Sequence, residues 1–283
     1  MVLRERIAEH VYVFRSGLYA QVNAGLVVTP EGCVVIDTLP FPQETQEIIR
    51  FVKNRLRARV RYLILTHSHA DHVYGAYLFP EAEVIAHLRC RDLMVKQTRP
   101  ALLEAQQRNL ALADVQLRLP SMLIEREATL RLGNFTLVLH HSPGHAPDVI
   151  TVYVKEEKVL FASDTVMPVP YFVYGNIADM RRSIQAIKQM APVEDVVQGH
   201  GEVLLRGEVD SVLDAQLAYL DCVEGHVNRI LAEGGGRAEL DAVSLEDCGL
   251  SRIALDGYGL QLHRANLYFL YGQARKQAAK PAG

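Results

Sequence analysis

Nowhere in these 283 residues does an apolar run approach the ~20 residues that a membrane-spanning helix needs. The first residues, Met1-Val2-Leu3-Arg4-Glu5-Arg6-Ile7, lack the apolar core of a secretory signal. Both absences point to a soluble chain, expected in the cytoplasm and without a membrane partner. Excess charge is missing too, since 30 Lys and Arg against 33 Asp and Glu leave a formal net charge of −3. Without a basic surplus, the expected partner is a small-molecule substrate and not nucleic acid. Cysteine is scarce. Cys33, Cys90, Cys222 and Cys248 stand apart with no C-x-x-C spacing, which predicts buried thiols in a reducing compartment and no role in metal binding. No repeat of solenoid period is present.

What the chain does hold is a set of imidazoles and carboxylates at strand ends. The segment Arg61-Tyr62-Leu63-Ile64-Leu65-Thr66 is short, apolar and strand-like, so the following run His67-Ser68-His69-Ala70-Asp71-His72 leaves the end of a strand. In an extended loop His67 and His69 project to one side and can grip one metal. Asp71 and His72 fall where a helix begins and turn towards a neighbouring ion. His145, Asp164 and His200 each follow another strand-like segment, and Pro143, Gly144, Gly199 and Gly201 supply the sharp turns that aim them. Five imidazoles and two carboxylates form a ligand set for two adjacent divalent metals, which makes a hydrolytic device.

The rest of the chain is organised simply. Strands dominate from Val11 to Asp37, with hairpin turns at Glu31-Gly32, Gly133-Asn134 and Glu156-Glu157. Residues 43–56 have helical spacing, and residues 88–119 read as helix broken at Arg99-Pro100. The apolar positions of that stretch, among them Leu102, Leu103, Leu110 and Leu112, are expected to cover the site mouth or to form a homodimer contact. Helices are also expected at 183–190, 208–232, 244–249 and 258–277. Gly234-Gly235-Gly236 reads as a linker, dividing a catalytic domain at 1–233 from a small helical extension at 234–283.

In order along the chain stand Asp37 at the end of Val34-Val35-Ile36, the H-x-H-x-D-H run, the histidine of Ser142-Pro143-Gly144-His145, Asp164, and the histidine of Gln198-Gly199-His200-Gly201. This series resembles the metallo-β-lactamase superfamily over about residues 10–205. The resemblance implies an α/β fold, a four-layer αββα sandwich of two facing sheets with helices outside. It also implies a ligand assignment: His67, His69 and His145 on a first metal, Asp71, His72 and His200 on a second, and Asp164 bridging both. Asp37 is expected to orient the ligand loops by hydrogen bonds. Zinc is the expected metal, with manganese and iron as alternatives.

A bridging aspartate at 164 resembles glyoxalase II, the lactonases and the phosphodiesterases, whereas true β-lactamases of the superfamily carry Cys or Ser there. The flavodiiron branch has glutamate where His69 stands, so it is disfavoured. Many relatives have glycine where this chain has Ser163, which is read as filling space. The expected reaction is attack of a metal-bridging hydroxide on an ester, lactone or thioester carbonyl, with Asp71 as proton shuttle. Alternatives are phosphodiester cleavage, a mono-iron persulfide dioxygenase and weak β-lactam hydrolysis. The loop Met167-Pro168-Val169-Pro170-Tyr171-Phe172-Val173-Tyr174-Gly175 offers an apolar wall, and Tyr171 or Tyr174 is a candidate carbonyl-polarising hydroxyl by analogy with lactonases. Tyr74 and Tyr77 read as core, and His10, His87, His140 and His141 as structural. Arg264, Arg275, Lys276 and Lys280 give the extension a basic cast that reads as solvated surface.

Overall fold

The computed structural model describes residues 2–190 and 192–278, so Lys280 lies outside the described residues. One sheet follows sequence order: β1 (Leu3–Arg6), β2 (Val11–Arg15), β3 (Asn23–Thr29), β4 (Gly32–Ile36), β5 (Val60–Leu65), β6 (Glu83–His87) and β7 (Met122–Ile124). Its first four strands pair antiparallel and β4 to β7 pair parallel. The second sheet contains β8 (Glu127–Leu132), β9 (Phe135–His141), β10 (Ile150–Val154), β11 (Val159–Ser163) and β12 (Asp195–Gln198), in the spatial order β12-β11-β10-β9-β8.

Period-two alternation decides which layer each side chain enters. In β4, Val34 and Ile36 point between the sheets, while Cys33 and Val35 point outward to a helical layer. In β11, Phe161 enters the space between the sheets and Leu160 and Ala162 face the opposite helical layer. Both faces of these strands are therefore buried, which explains their continuous apolar runs. Each such Val, Ile, Leu or Phe stabilises the sandwich by about 1.5–3 kcal/mol. That rigid frame holds the loops at the strand ends.

The outer layer on the first sheet contains α1 (Pro42–Arg50), with α2 (Ala70–Val73) beside it at the site, then α3 (Leu88–Leu93) and α4 (Arg99–Arg108). Helices α5 (Ile177–Lys188), α6 (Val209–Ala232), α7 (Arg237–Asp241) and α8 (Gly259–Ala278) cover the second sheet. The αββα sandwich expected from the motif series is thus present. Leu262 and Leu267 of α8 share one buried cluster with Tyr219, Leu220 and Val223 of α6, so the residues after the Gly234-Gly235-Gly236 turn add to the main core.

Some local expectations shift. The break at Arg99-Pro100 is instead a wide turn at Met94–Thr98 leading into α4, whose first turn accommodates Pro100 because no N–H is needed there. Helix α5 begins at Ile177, six residues before the expected start, capped by the Asn176 carboxamide that accepts from the Ala178 and Asp179 N–H groups at 2.8 and 3.0 Å. Cys33 and Cys90 are buried thiols, but Cys222 and Cys248 are joined in a disulfide that ties α6 to the turn at Glu246–Cys248. Their separation of 26 residues hid the pairing, since only the folded chain brings the Cα atoms to 5.5 Å. Leu102 and Leu112 are core, and Leu103 and Leu110 are exposed.

Candidate metal centre

The predicted ligands stand on loops at strand ends or in the short helix that follows one of them. His67 follows β5, His145 follows β9, Asp164 follows β11 and His200 follows β12, while Asp71 and His72 open α2. His67, His69, His145 and Asp164 offer ligand atoms within 4.8 Å of one another, and Asp71, His72 and His200 form a second group of three that meets the same distance. Asp164 lies between them. Its Oδ1 is 3.3 Å from His72 Nε2, and its Oδ2 is 3.2 Å from His145 Nε2 and 3.4 Å from His200 Nε2.

Hydrogen bonds outside the cluster fix how the imidazoles face. The Nδ1–H of His72 donates to Asp37 Oδ2 at 2.9 Å, that of His145 to the Tyr171 carbonyl at 2.7 Å, and that of His200 to the Ala20 carbonyl at 2.8 Å. Each partner can only accept, so the proton sits on Nδ1 and the Nε2 lone pair turns inward. His67 Nε2, His72 Nε2 and Asp164 Oδ1 are buried without a hydrogen-bond partner. Such groups are costly to bury unsatisfied, and a divalent cation satisfies them together. The donor set therefore fits a pair of metal ions.

Charge agrees with that fit. Burial pushes the Asp164 carboxyl up, yet the facing His200, His145 and His72 hold it well below the usual carboxylate range. Burial, then the neighbouring His72 and His69, pull His67 well below the ordinary histidine value, and burial takes His145 down to about 4. Those rings are neutral, as ligands must be. Burial opposes a proton on His72 and His200, but Asp164 and Asp71 overcome it and raise both. A place that attracts a proton so strongly is a place for a cation.

Asp37 does what the sequence suggested. Its Oδ1 accepts from the Thr66 N–H at 2.7 Å, and its Oδ2 accepts from Thr66 Oγ1 at 2.6 Å as well as from His72. Ser163 does more than fill space. It has a left-handed φ of 51°, where glycine is the easy residue, and its hydroxyl lies 2.7 Å from Thr66 Oγ1 and 3.3 Å from His67 Nδ1. Gly199 is required by close approach, because a Cβ there would stand 1.8 Å from Asp164 Oδ1.

Sequence reasoning missed Asp148, three residues after His145. It is fully buried and accepts from the Ser68 N–H at 2.8 Å, locking the loop between His67 and His69. Thr98 donates to the Ser68 carbonyl at 2.6 Å and anchors the same loop from the other side. Also missed was Asn266 of α8, which holds the Pro170 carbonyl at 2.7 Å beside the carbonyl that orients His145.

His69, Asp71, His145, Asp164 and His200 line the floor of a cavity of about 310 Å³. Tyr171 is half-buried, and Tyr174, 60% exposed, sets its ring 4.8 Å from that of His69. Tyr19, Tyr258, Leu255 and Leu262 complete that wall, and Gln97, Thr98 and Ala101 stand on another side. None of the described residues lining the cavity is Lys or Arg. Arg264, Arg275 and Lys276 of the extension thus do not line it. His10 and His140 pair with Glu157 and Glu127, and His87 and His141 stack on each other at 4.1 Å; all four lie outside the cavity lining.

Comparison with known proteins follows the same lines. The family profile described as the metallo-beta-lactamase superfamily matches residues 19–204. A metallo-beta-lactamase type 2 of Bacillus cereus is 28% identical over 206 residues, covering 70% of this chain and 74% of that protein. An acyl-coenzyme A thioesterase of Gallus gallus is 29% identical over 155 residues, covering 48% of this chain and 55% of the relative. Among solved structures, a sec-alkylsulfatase from a Pseudomonas species superimposes with a TM-score of 0.76 at 17% identity, covering 96% of this chain and 50% of that one. That likeness concerns the fold. No helix among the described residues is long and apolar enough to cross a membrane.

Proposed function

The chain belongs to the metallo-beta-lactamase superfamily and is a metallo-hydrolase; from that premise we propose that it cleaves an ester, lactone or thioester at a two-metal site. The observation that carries this reading is the position of Asp164, with one oxygen towards His72 and the other towards His145 and His200, at the floor of an uncharged cavity wall. His67, His69 and His145 would hold the first cation, Asp71, His72 and His200 the second, and Asp164 would contribute to both. Bound there, divalent cations, zinc in the first instance, lower the pKa of water towards 7 and polarise a carbonyl.

The side chains supply the rest. Asp71 is 18% exposed, lies 3.5 Å from His200 Nε2 and reaches the cavity, so its carboxylate accepts a proton and returns it to the leaving group. Burial, then the neighbouring Tyr174, push the Tyr171 hydroxyl up to about 12. It stays protonated and is a hydrogen-bond donor near neutrality. Tyr174, whose ring stands 4.8 Å from that of His69 in the cavity lining, offers a second hydroxyl as donor to a developing oxyanion. Among the described residues no Lys or Arg lines the cavity as a clamp for phosphate, which supports carbonyl substrates over phosphodiesters.

Thioester cleavage draws support from the thioesterase relative, and β-lactam hydrolysis from the Bacillus cereus relative. The test is a screen of the metal-loaded protein against p-nitrophenyl esters, lactones, S-acyl thioesters, a chromogenic cephalosporin and bis-p-nitrophenyl phosphate. Turnover is expected among the first three. Fast cleavage confined to the phosphodiester or to the cephalosporin would overturn the reading.

A further inference from the structure

Resting on the carbonyl-hydrolase reading, we infer that Leu255, Tyr258 and Leu262, all beyond the matched residues 19–204, form a wall that selects an uncharged, apolar acyl chain. Leu255 sits on a left-handed backbone with φ 53°, followed by Asp256 at 55°. Two consecutive non-glycine residues in that region are strained and persist only where the surroundings enforce them. The enforcing contact is visible. Gln21 Nε2 donates to Asp256 Oδ2 at 2.9 Å, and Gln21 is itself left-handed, in the turn whose Ala20 carbonyl orients His200.

This clasp brings the leucine to the centre. Its Cδ2 lies 3.6 Å from where a Cβ of Gly201, next to His200, would stand. Leu262 reaches the same cavity from α8, which the buried Asn266 pins to the loop carrying Tyr171. Among the described residues the lining holds no Lys or Arg, and its two carboxylates, Asp71 and Asp164, are already engaged with the imidazoles. A chain lying along this wall gains by burying methylenes. A carboxylate on its far end loses its water and meets no cation. The cavity of about 310 Å³ lies at the lower end of the usual ligand-pocket range of about 300–1,000 Å³, so the chain is short to medium.

Alkyl hydroxamic acids test this, because a constant chelating head faces the metal floor while the tail lengthens. Calorimetric binding to the metal-loaded protein should tighten about fourfold per methylene until the cavity is full, making hexanohydroxamate, with four more methylenes, about 250-fold tighter than acetohydroxamate. Adipic monohydroxamate, of equal carbon count but ending in a carboxylate, should bind at least about tenfold more weakly than hexanohydroxamate. Leu255→Gly eases the backbone while removing the wall, and Ala101→Trp fills the mouth from the exposed opposite rim. Each should cut the hexano-to-aceto ratio by about tenfold. A parent ratio near one, or equal binding of the adipic compound, overturns the wall. A normal ladder without turnover of any ester, lactone or thioester keeps the wall and overturns the hydrolase reading; turnover independent of chain length does the reverse.

Discussion

Asn266, on the last helix, donates from Nδ2 to the Pro170 carbonyl at 2.7 Å, and the next carbonyl along, that of Tyr171, receives the proton of His145. The same carboxamide also donates to the Tyr219 hydroxyl at 3.0 Å, and Tyr219 bonds to His263. The far end of the chain is therefore coupled to a ligand of the candidate metal centre through a buried polar chain. Asn266→Leu should leave the Pro170 carbonyl unsatisfied, destabilising the fold by about 1–3 kcal/mol. It should also weaken metal binding at the His145 side, measured by competition with a chelator. Unchanged melting temperature and metal affinity would remove this coupling.

Ser163 gives a second, sharper case. Ser163→Ala keeps the left-handed strain and loses the hydroxyl that lies 2.7 Å from Thr66 Oγ1, so it should destabilise by about 1 kcal/mol. Ser163→Gly loses the same bond but relieves the backbone, and should be more stable than the alanine variant. Denaturant midpoints of the two variants compare them directly; a glycine variant less stable than alanine would show that the φ of 51° carries no strain.

Tyr174, beside His69 and exposed to the cavity, is expected to donate to the developing oxyanion. Tyr174→Phe should lower kcat on esters or lactones by about 100-fold with melting temperature and metal content unchanged. Tyr171→Phe should lose less, because its recognised contact with His145 runs through the backbone carbonyl. Parent-like kcat in the Tyr174 variant would leave the metals alone to polarise the carbonyl.

His87 makes stability depend on pH. Burial, then the stacked His141, bring its pKa down to about 4, with Nδ1 accepting from the Arg89 N–H and Nε2 donating to the Glu125 carbonyl. The unfolded chain binds a proton near 6.5, so between about 4 and 6.5 it holds more protons than the folded chain. The stabilisation is present above about 6.5 and is lost as pH falls through this window. His87→Gln, which keeps a donor and an acceptor but does not titrate, should show a shallower loss of melting temperature from pH 7 to 4. Parallel curves would mean that His87 does not titrate in this way.

The site was legible because its signals are local. His67, His69, Asp71 and His72 lie within six residues, and Gly144, Gly199 and Gly201 mark the turns that aim the remaining ligands. The sheets were legible for a similar reason, since short continuous apolar runs such as those of β4 and β11 announce strands buried on both faces. What stayed hidden depends on distance along the chain. Asn266 meets Pro170 across 96 residues, Gln21 meets Asp256 across 235, and no pattern in either segment names its partner. Cys222 and Cys248 carried no spacing that announced a bond. The early start of α5 was a local signal left unused, because Asn176 before Ala178 and Asp179 is a helix cap in plain view.

If Asp164 joins two metals, as proposed, elemental analysis of parent and variants will show it. The parent should bind two divalent ions per chain. Asp164→Ala should lose most metal from both positions, whereas His200→Ala should retain close to one ion, because only the second group loses a ligand. One ion in the parent, or two retained in Asp164→Ala, would contradict the account.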